Sequence, residues 1–350
     1  MSEEQFITDN AAAAESRLDE FRRVCTGVGI VLVLTFVFRH LVYLLTGFIA
    51  PLVSGADLLT KYLLNAVLSV VFLNVLPITA AFLVLKPKQA FREACGKPVY
   101  LGSALGMFPA IYAAAIGVNL LTVWISGLFE DTPISDSFHV MNDIQPPDLA
   151  TALLLFVQAA VIAPIAEELW FRGIILQVLR PFGNGFAIFV SGILFGMTHG
   201  NLQQGLYATV IGICLGYIAV STRSIVSTVI IHAMLNSIAG ILMIFMTFPE
   251  VQRYMDAAEK GIAMTPEGIV PVFLCFVMAV TVLLLVGACM AVYKLVKIRR
   301  YRVEKVWHEV STAKRWGIFL TRITVIVGLL LALDEMTFGY IAQLIDIVFP

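Results

Sequence analysis

The chain has 350 residues, of which 59% are hydrophobic and 13% charged, with a formal net charge of −1. A soluble domain carries about 25% charged residues, so the composition excludes a chain that meets water over its whole surface, and the near-zero charge offers nothing to nucleic acid. The five cysteines, Cys25, Cys95, Cys214, Cys275 and Cys289, show no CxxC and no paired spacing, so neither a disulfide framework nor a zinc knuckle is expected.

Residues 1–23 are polar and acidic, carry no cleavable signal pattern, and read as a cytosolic lead-in with room for a helix. Apolar stretches follow at 24–50, 62–85 and 100–128, from 149 to a Phe-Gly-Asn-Gly turn at 182–185, then to about 199, at 202–220, 225–248 and 270–293, and from 317. Stretches of this length are read as membrane helices. The expected fold is therefore an all-α polytopic transmembrane bundle of about 8–9 membrane segments. Residues 24–148 supply the N-terminal segments, 149–248 a central core, and 249–350 the C-terminal segments. The last segment holds Asp334 and Glu335, expected at its outer end. Arg39 and His40 interrupt the first segment and read as an interface pair or as a sign that this helix breaks.

The loops set an orientation. Lys86, Lys88, Arg92 and Lys97 follow the second segment, Arg180 and Arg223 flank short turns, and a basic connection fills 294–315, where Trp307, His308 and Trp316 suggest an interfacial helix. The loop 130–148 holds acids and neither Lys nor Arg. An excess of Lys and Arg marks the cytosolic side, which places the N-terminus in the cytosol and the basic connection against anionic lipid headgroups.

Within 149–248 the Asp, Glu, Lys, Arg and His residues are Glu167, Glu168, Arg172, Arg180, His199, Arg223 and His232. Arg180 and Arg223 sit at turns, but the others lie at membrane depth, where a charge is costly unless it is paired or used. Glu167 and His199 are each about 16 residues from the turn near Gly183, which sets both roughly 24 Å along neighbouring antiparallel helices. Glu168 and Arg172 are four residues apart with the acid first, the favourable ion-pair orientation. Glu167 is turned about 100° away and is left as the freer carboxylate. His232 and Asn236 share a face, and both carry N–H groups able to meet a developing oxyanion. A carboxylate and an imidazole able to deprotonate one water, beside donors able to polarise a carbonyl, fit hydrolysis.

The stretch Glu167-Glu168-Leu169-Trp170-Phe171-Arg172 resembles the EExxxR motif of the CPBP family, the CAAX proteases and bacteriocin-processing enzymes. Phe195 to His199 is similar to its FxxxH motif, and His232 to Asn236 to its HxxxN motif. The resemblance covers about 149–239 and implies an intramembrane glutamate-dependent endopeptidase. It implies that Glu167 and His199 activate water, that Glu168 and Arg172 support the site, and that His232 and Asn236 form an oxyanion hole. Asn201 is a further site candidate that helix phase does not favour.

The implied partners are a peptide or protein substrate and membrane lipids, and the implied location is an integral membrane position, by expectation a bacterial plasma membrane. No cofactor is expected. A zinc site built from the same Glu and His residues is the alternative, against which stand the diverging adjacent acids and the nearby Arg172. Two other functions remain open on the sequence: a non-catalytic scaffold, immunity protein or sensor-kinase regulator of the same fold, and a proton-coupled transporter.

Overall fold

A computed structural model describes residues 3–129, 148–297 and 310–337, and among them every regular element is helical. The acidic loop 130–147, the basic stretch 298–309 with Trp307 and His308, and the end of the last segment lie outside the described residues.

Helix α1 runs from Glu3 to Ile49 without a break, so neither the boundary at residue 23 nor the Arg39-His40 pair interrupts it. Its lead-in joins the core: Phe21 is fully buried, with its ring 4.8 Å from that of Phe182 and 5.6 Å from that of Phe186. Helix α2, Leu58–Leu85, begins where the Asp57 carboxylate accepts the Thr60 amide at 2.7 Å. Helix α3 covers Leu101–Ser126, and α4, Leu149–Phe182, starts at Asp148, whose carboxylate accepts the Thr151 amide at 2.8 Å. A short-chain acceptor at the N-cap meets an amide that has no partner within the helix.

Helix α5 covers Asn184–Met197, α6 Leu202–Thr222, α7 Val226–Phe245 and α8 Val270–Lys297. Helices α9, Thr312–Leu320, and α10, Ile323–Thr337, meet at a 75° bend. Among the described residues seven helices are long and apolar enough to cross a membrane, and the bent pair makes an eighth if it counts as one span. The outward faces suit that solvent: Val272, Met278, Val282 and Leu285 of α8 are all exposed. The chain is an all-α membrane bundle.

Helix α5, expected to span, has 14 residues. At 1.5 Å per residue it is about 21 Å long, short of a hydrocarbon core of about 30 Å. It lies buried in the bundle instead, with Phe186, Ile188, Val190, Leu194 and Phe195 in the main apolar cluster. Small residues let α6 approach it closely: a Cβ on Gly192 would stand 2.7 Å from the Ile213 amide nitrogen, and one on Gly212 would stand 2.9 Å from the Gly192 Cα. Each glycine opens a Gly-x-x-x-Gly pair, Gly192/Gly196 on α5 and Gly212/Gly216 on α6, the pattern that brings membrane helices into backbone contact. At the other side α10 lies on α1, with the Thr324 hydroxyl donating to the Thr26 carbonyl at 3.0 Å.

Candidate active site

Proline shapes α4 before any acid appears. Residues Gln158–Ile162 form a π-helical turn immediately ahead of Pro164. The Ala163 amide reaches back five residues to the Gln158 carbonyl. Pro164 has no N–H with which to continue that ladder to Ala159. The Asn236 side chain of α7 supplies the missing donor, its Nδ2 lying 2.8 Å from the Ala159 oxygen. A second wide turn, Glu168–Ile175, begins at the acid pair. Such turns occur often at functional sites.

The two adjacent acids diverge. Glu168 is fully buried, whereas Glu167 keeps 24% of its side chain exposed. One oxygen of Glu168 accepts both Arg172 Nη1 at 2.8 Å and His232 Nδ1 at 3.0 Å. Arg172 is buried as well; its Nη2 donates to the Gly212 carbonyl at 3.2 Å, and its guanidinium lies 4.4 Å from the centre of the Phe195 ring. The close α5–α6 packing is what brings that carbonyl within reach. A charge in such surroundings persists when it is paired and further hydrogen-bonded; Glu168 and Arg172 pair with each other, and each makes one further hydrogen bond.

His232 stands between the carboxylates, with Nδ1 on Glu168 and Nε2 3.7 Å from Glu167 Oε2. A carboxylate only accepts, so Nδ1 carries a proton. His199 follows the last turn of α5, with its Nδ1 2.8 Å from the Phe195 carbonyl. That oxygen also only accepts, so the neutral ring of His199 leaves a lone pair on Nε2. The Phe195 ring holds the two imidazoles apart, edge to face, with centroids at 4.8 Å to His199 and 5.5 Å to His232.

The bundle thus joins Glu168, Arg172 and His232 directly, sets Glu167 beside His232, and brings His199 in through Phe195. Asn236 lies on the same face of α7 as His232, but its amide is anchored at Ala159, eight residues before Glu167. Asn201 is the N-cap of α6, where its Oδ1 accepts the Gln204 amide at 2.7 Å, which accounts for its burial. Among the described residues no three His, Cys, Asp or Glu side chains stand in metal-holding geometry.

Three participants escape a reading of the sequence. Phe195 appears there as the first letter of a motif, not as the surface on which the guanidinium and both rings rest. Pro164, inside an apolar run, is the visible signal for the wide turn that Asn236 completes. Arg39 of α1 ion-pairs with Glu335 of α10 at 3.1 Å and also donates to the Thr198 carbonyl, beside His199. It does not break α1. A separate cavity of about 670 Å³ lies at the Gly183 end of the core, lined by Glu93, Lys97, Arg180 and Arg223.

Residues 149–238 match the family model "Type II CAAX prenyl endopeptidase Rce1-like". This region is similar to the CAAX-protease family. A protein of Bacillus subtilis (strain 168) named "Putative membrane peptidase YdiL" is 23% identical over 174 residues. The match takes in 49% of this chain and 66% of that relative, just under two thirds of its length. No solved structure matches the chain. All the side chains joined around Glu168 fall inside the matched residues 149–238, whereas Arg39 and Glu335 fall outside them.

Proposed function

We propose that this chain is an intramembrane endopeptidase that hydrolyses a peptide bond of a membrane-associated protein or peptide, by a glutamate mechanism without a metal. The observation that carries this reading is the divergence of the acid pair: Glu168 is enclosed and committed to Arg172 and His232, while Glu167 keeps an exposed edge. Only a carboxylate with such an edge is able to meet water.

In this mechanism Glu167, assisted by the free Nε2 of His199, takes a proton from one water as its oxygen attacks the substrate carbonyl carbon. Negative charge moves to the carbonyl oxygen. In its protonated form His232, with Glu168 as its counter-ion, offers an Nε2–H to that oxygen, and Asn236 offers the amide proton not engaged at Ala159. The proton held by Glu167 then passes to the peptide nitrogen, the C–N bond breaks, and an amine and a carboxylic acid result. Arg172 keeps Glu168 charged and in place, so that His232 stays oriented. The Arg172 cation against Glu168 also disfavours a metal ion there. The substrate would reach the site from the membrane or the cytosol, in a bacterial plasma membrane with the N-terminus inside.

The test compares membrane and secreted peptides of wild-type cells with those of Glu167→Gln cells. The exchange keeps the shape and removes the base, and general acid–base catalysis contributes about 10²–10⁴-fold, so at least one peptide should stay unprocessed in the variant. Identical peptide lengths with the cell phenotype intact would return the chain to the scaffold reading, and solute uptake lost with the same exchange would favour transport. Inhibition by a chelator, reversed by zinc, would overturn the metal-free mechanism.

A further inference from the structure

Helix α5 ends in a glycine turn that an arginine fills. Gly200 has φ +76°, and a Cβ built on it would lie 2.5 Å from Arg39 Nη1. Arg39 comes from α1, more than a hundred residues upstream, and is held at 3.1 Å by Glu335 of α10. Both side chains are nearly enclosed, with 13% and 10% exposure. The other guanidinium nitrogen of Arg39 donates to the Thr198 carbonyl, the C-cap of α5. The last carbonyls of a helix lack partners within it and carry the negative end of its dipole, so a cation there both bonds and neutralises that terminus. The next residue is His199, whose amide still belongs to the turn through the Gly196 carbonyl at 3.1 Å.

We infer that Arg39, anchored by Glu335, is a positioning residue for the proposed hydrolysis: it fixes the end of α5 and so the place of the His199 imidazole. The inference rests on the proteolytic reading and extends the working site beyond the family-matched core, to the first and last described helices. A lysine at this position has no second nitrogen with which to bridge Glu335 and Thr198 together.

The experiment uses the full chain in lipid nanodiscs. Its probe is the peptide whose length differs between wild-type and Glu167→Gln cells. A misplaced catalytic group costs about 100-fold. Arg39→Ala should therefore lower kcat by about that factor with KM nearly unchanged, Arg39→Lys should fall between it and wild type, and added guanidinium should restore part of the Arg39→Ala rate. Amide exchange at residues 198–201 should quicken in the same order. An unchanged kcat, or a rise in KM alone, would overturn the inference, as would unchanged exchange. If Arg39→Ala does not fold, Glu335→Gln decides: a lower kcat with faster exchange at 198–201 supports the anchor, and wild-type values of both refute it. Should no peptide depend on Glu167, the proteolytic reading fails by itself, and the exchange measurement still decides whether Arg39 holds the turn.

Discussion

Glu168–Arg172 and Arg39–Glu335 are arginine–carboxylate pairs inside this bundle, and they are built in opposite ways. Glu168 and Arg172 stand on one helix, four residues apart, 2.8 Å between partners and fully enclosed. Arg39 and Glu335 come from opposite ends of the chain, 3.1 Å between partners, and each retains a little exposure. The inner pair holds a carboxylate against His232, whereas the outer pair holds a helix end against His199. Each imidazole of the site thus has an arginine–carboxylate pair next to it or to its helix end. The local pair is announced by its four-residue spacing. The distant pair exists only because α10 folds back onto α1, a contact no spacing announces.

The largest effect should come from splitting the inner pair. Removing one partner of a buried pair leaves an uncompensated charge and costs about 3–5 kcal/mol. Arg172→Met should therefore destabilise the protein by that amount in thermal unfolding in detergent. The double exchange Glu168→Gln/Arg172→Met removes both charges and should recover much of the loss, while activity stays absent because His232 has lost its orienting carboxylate. Equal instability of the single and double variants would show that packing of the guanidinium on Phe195, not charge, dominates. Splitting the outer pair should matter less. Hydrogen bonds to charged groups contribute about 1.5–3 kcal/mol, so Glu335→Gln should fall in that range, and a loss as large as that of Arg172→Met would mean that the two pairs do not differ in kind.

A third change tests what carries the inner pair to its carbonyl. Gly212 gives Arg172 an acceptor at 3.2 Å only because α5 and α6 touch through Gly192 and Gly212. Adding methylenes to a close-packed contact costs about 1–3 kcal/mol. Gly192→Ala should lower the unfolding temperature accordingly, and an unchanged temperature would show that α6 gives way without strain.

Much of the site was legible because its logic is local. The (i, i+4) spacing gave the Glu168–Arg172 pair and the shared face of His232 and Asn236, and the turn at Gly183 allowed a depth count for Glu167 and His199. What stayed hidden depends on the third dimension or on departures from the regular helix. A fixed 100° per residue does not hold through the wide turns at Gln158–Ile162 and Glu168–Ile175. Hydropathy marked α5 as a further crossing, but apolar character does not separate a lipid-facing helix from one buried among its neighbours. Arg39 in a membrane segment signalled that a partner was needed and gave no means of finding Glu335. The Gly-x-x-x-Gly pairs on α5 and α6 were present to be read, and they were the one direct clue to which helices touch.

The smallest expected change in stability separates structure from chemistry most cleanly. Asn236 replaces the N–H that Pro164 lacks, and hydrogen bonds between membrane helices contribute on average about 0.6 kcal/mol. Asn236→Ala should thus unfold almost as wild type does. If its remaining amide proton also meets the developing oxyanion, the same exchange should lower kcat by about 10²–10³-fold, the usual loss for one such donor. A kcat that falls only as far as the small destabilisation accounts for would make Asn236 a prop for the turn at Ala159, and would leave His232 as the remaining assigned donor of the oxyanion site.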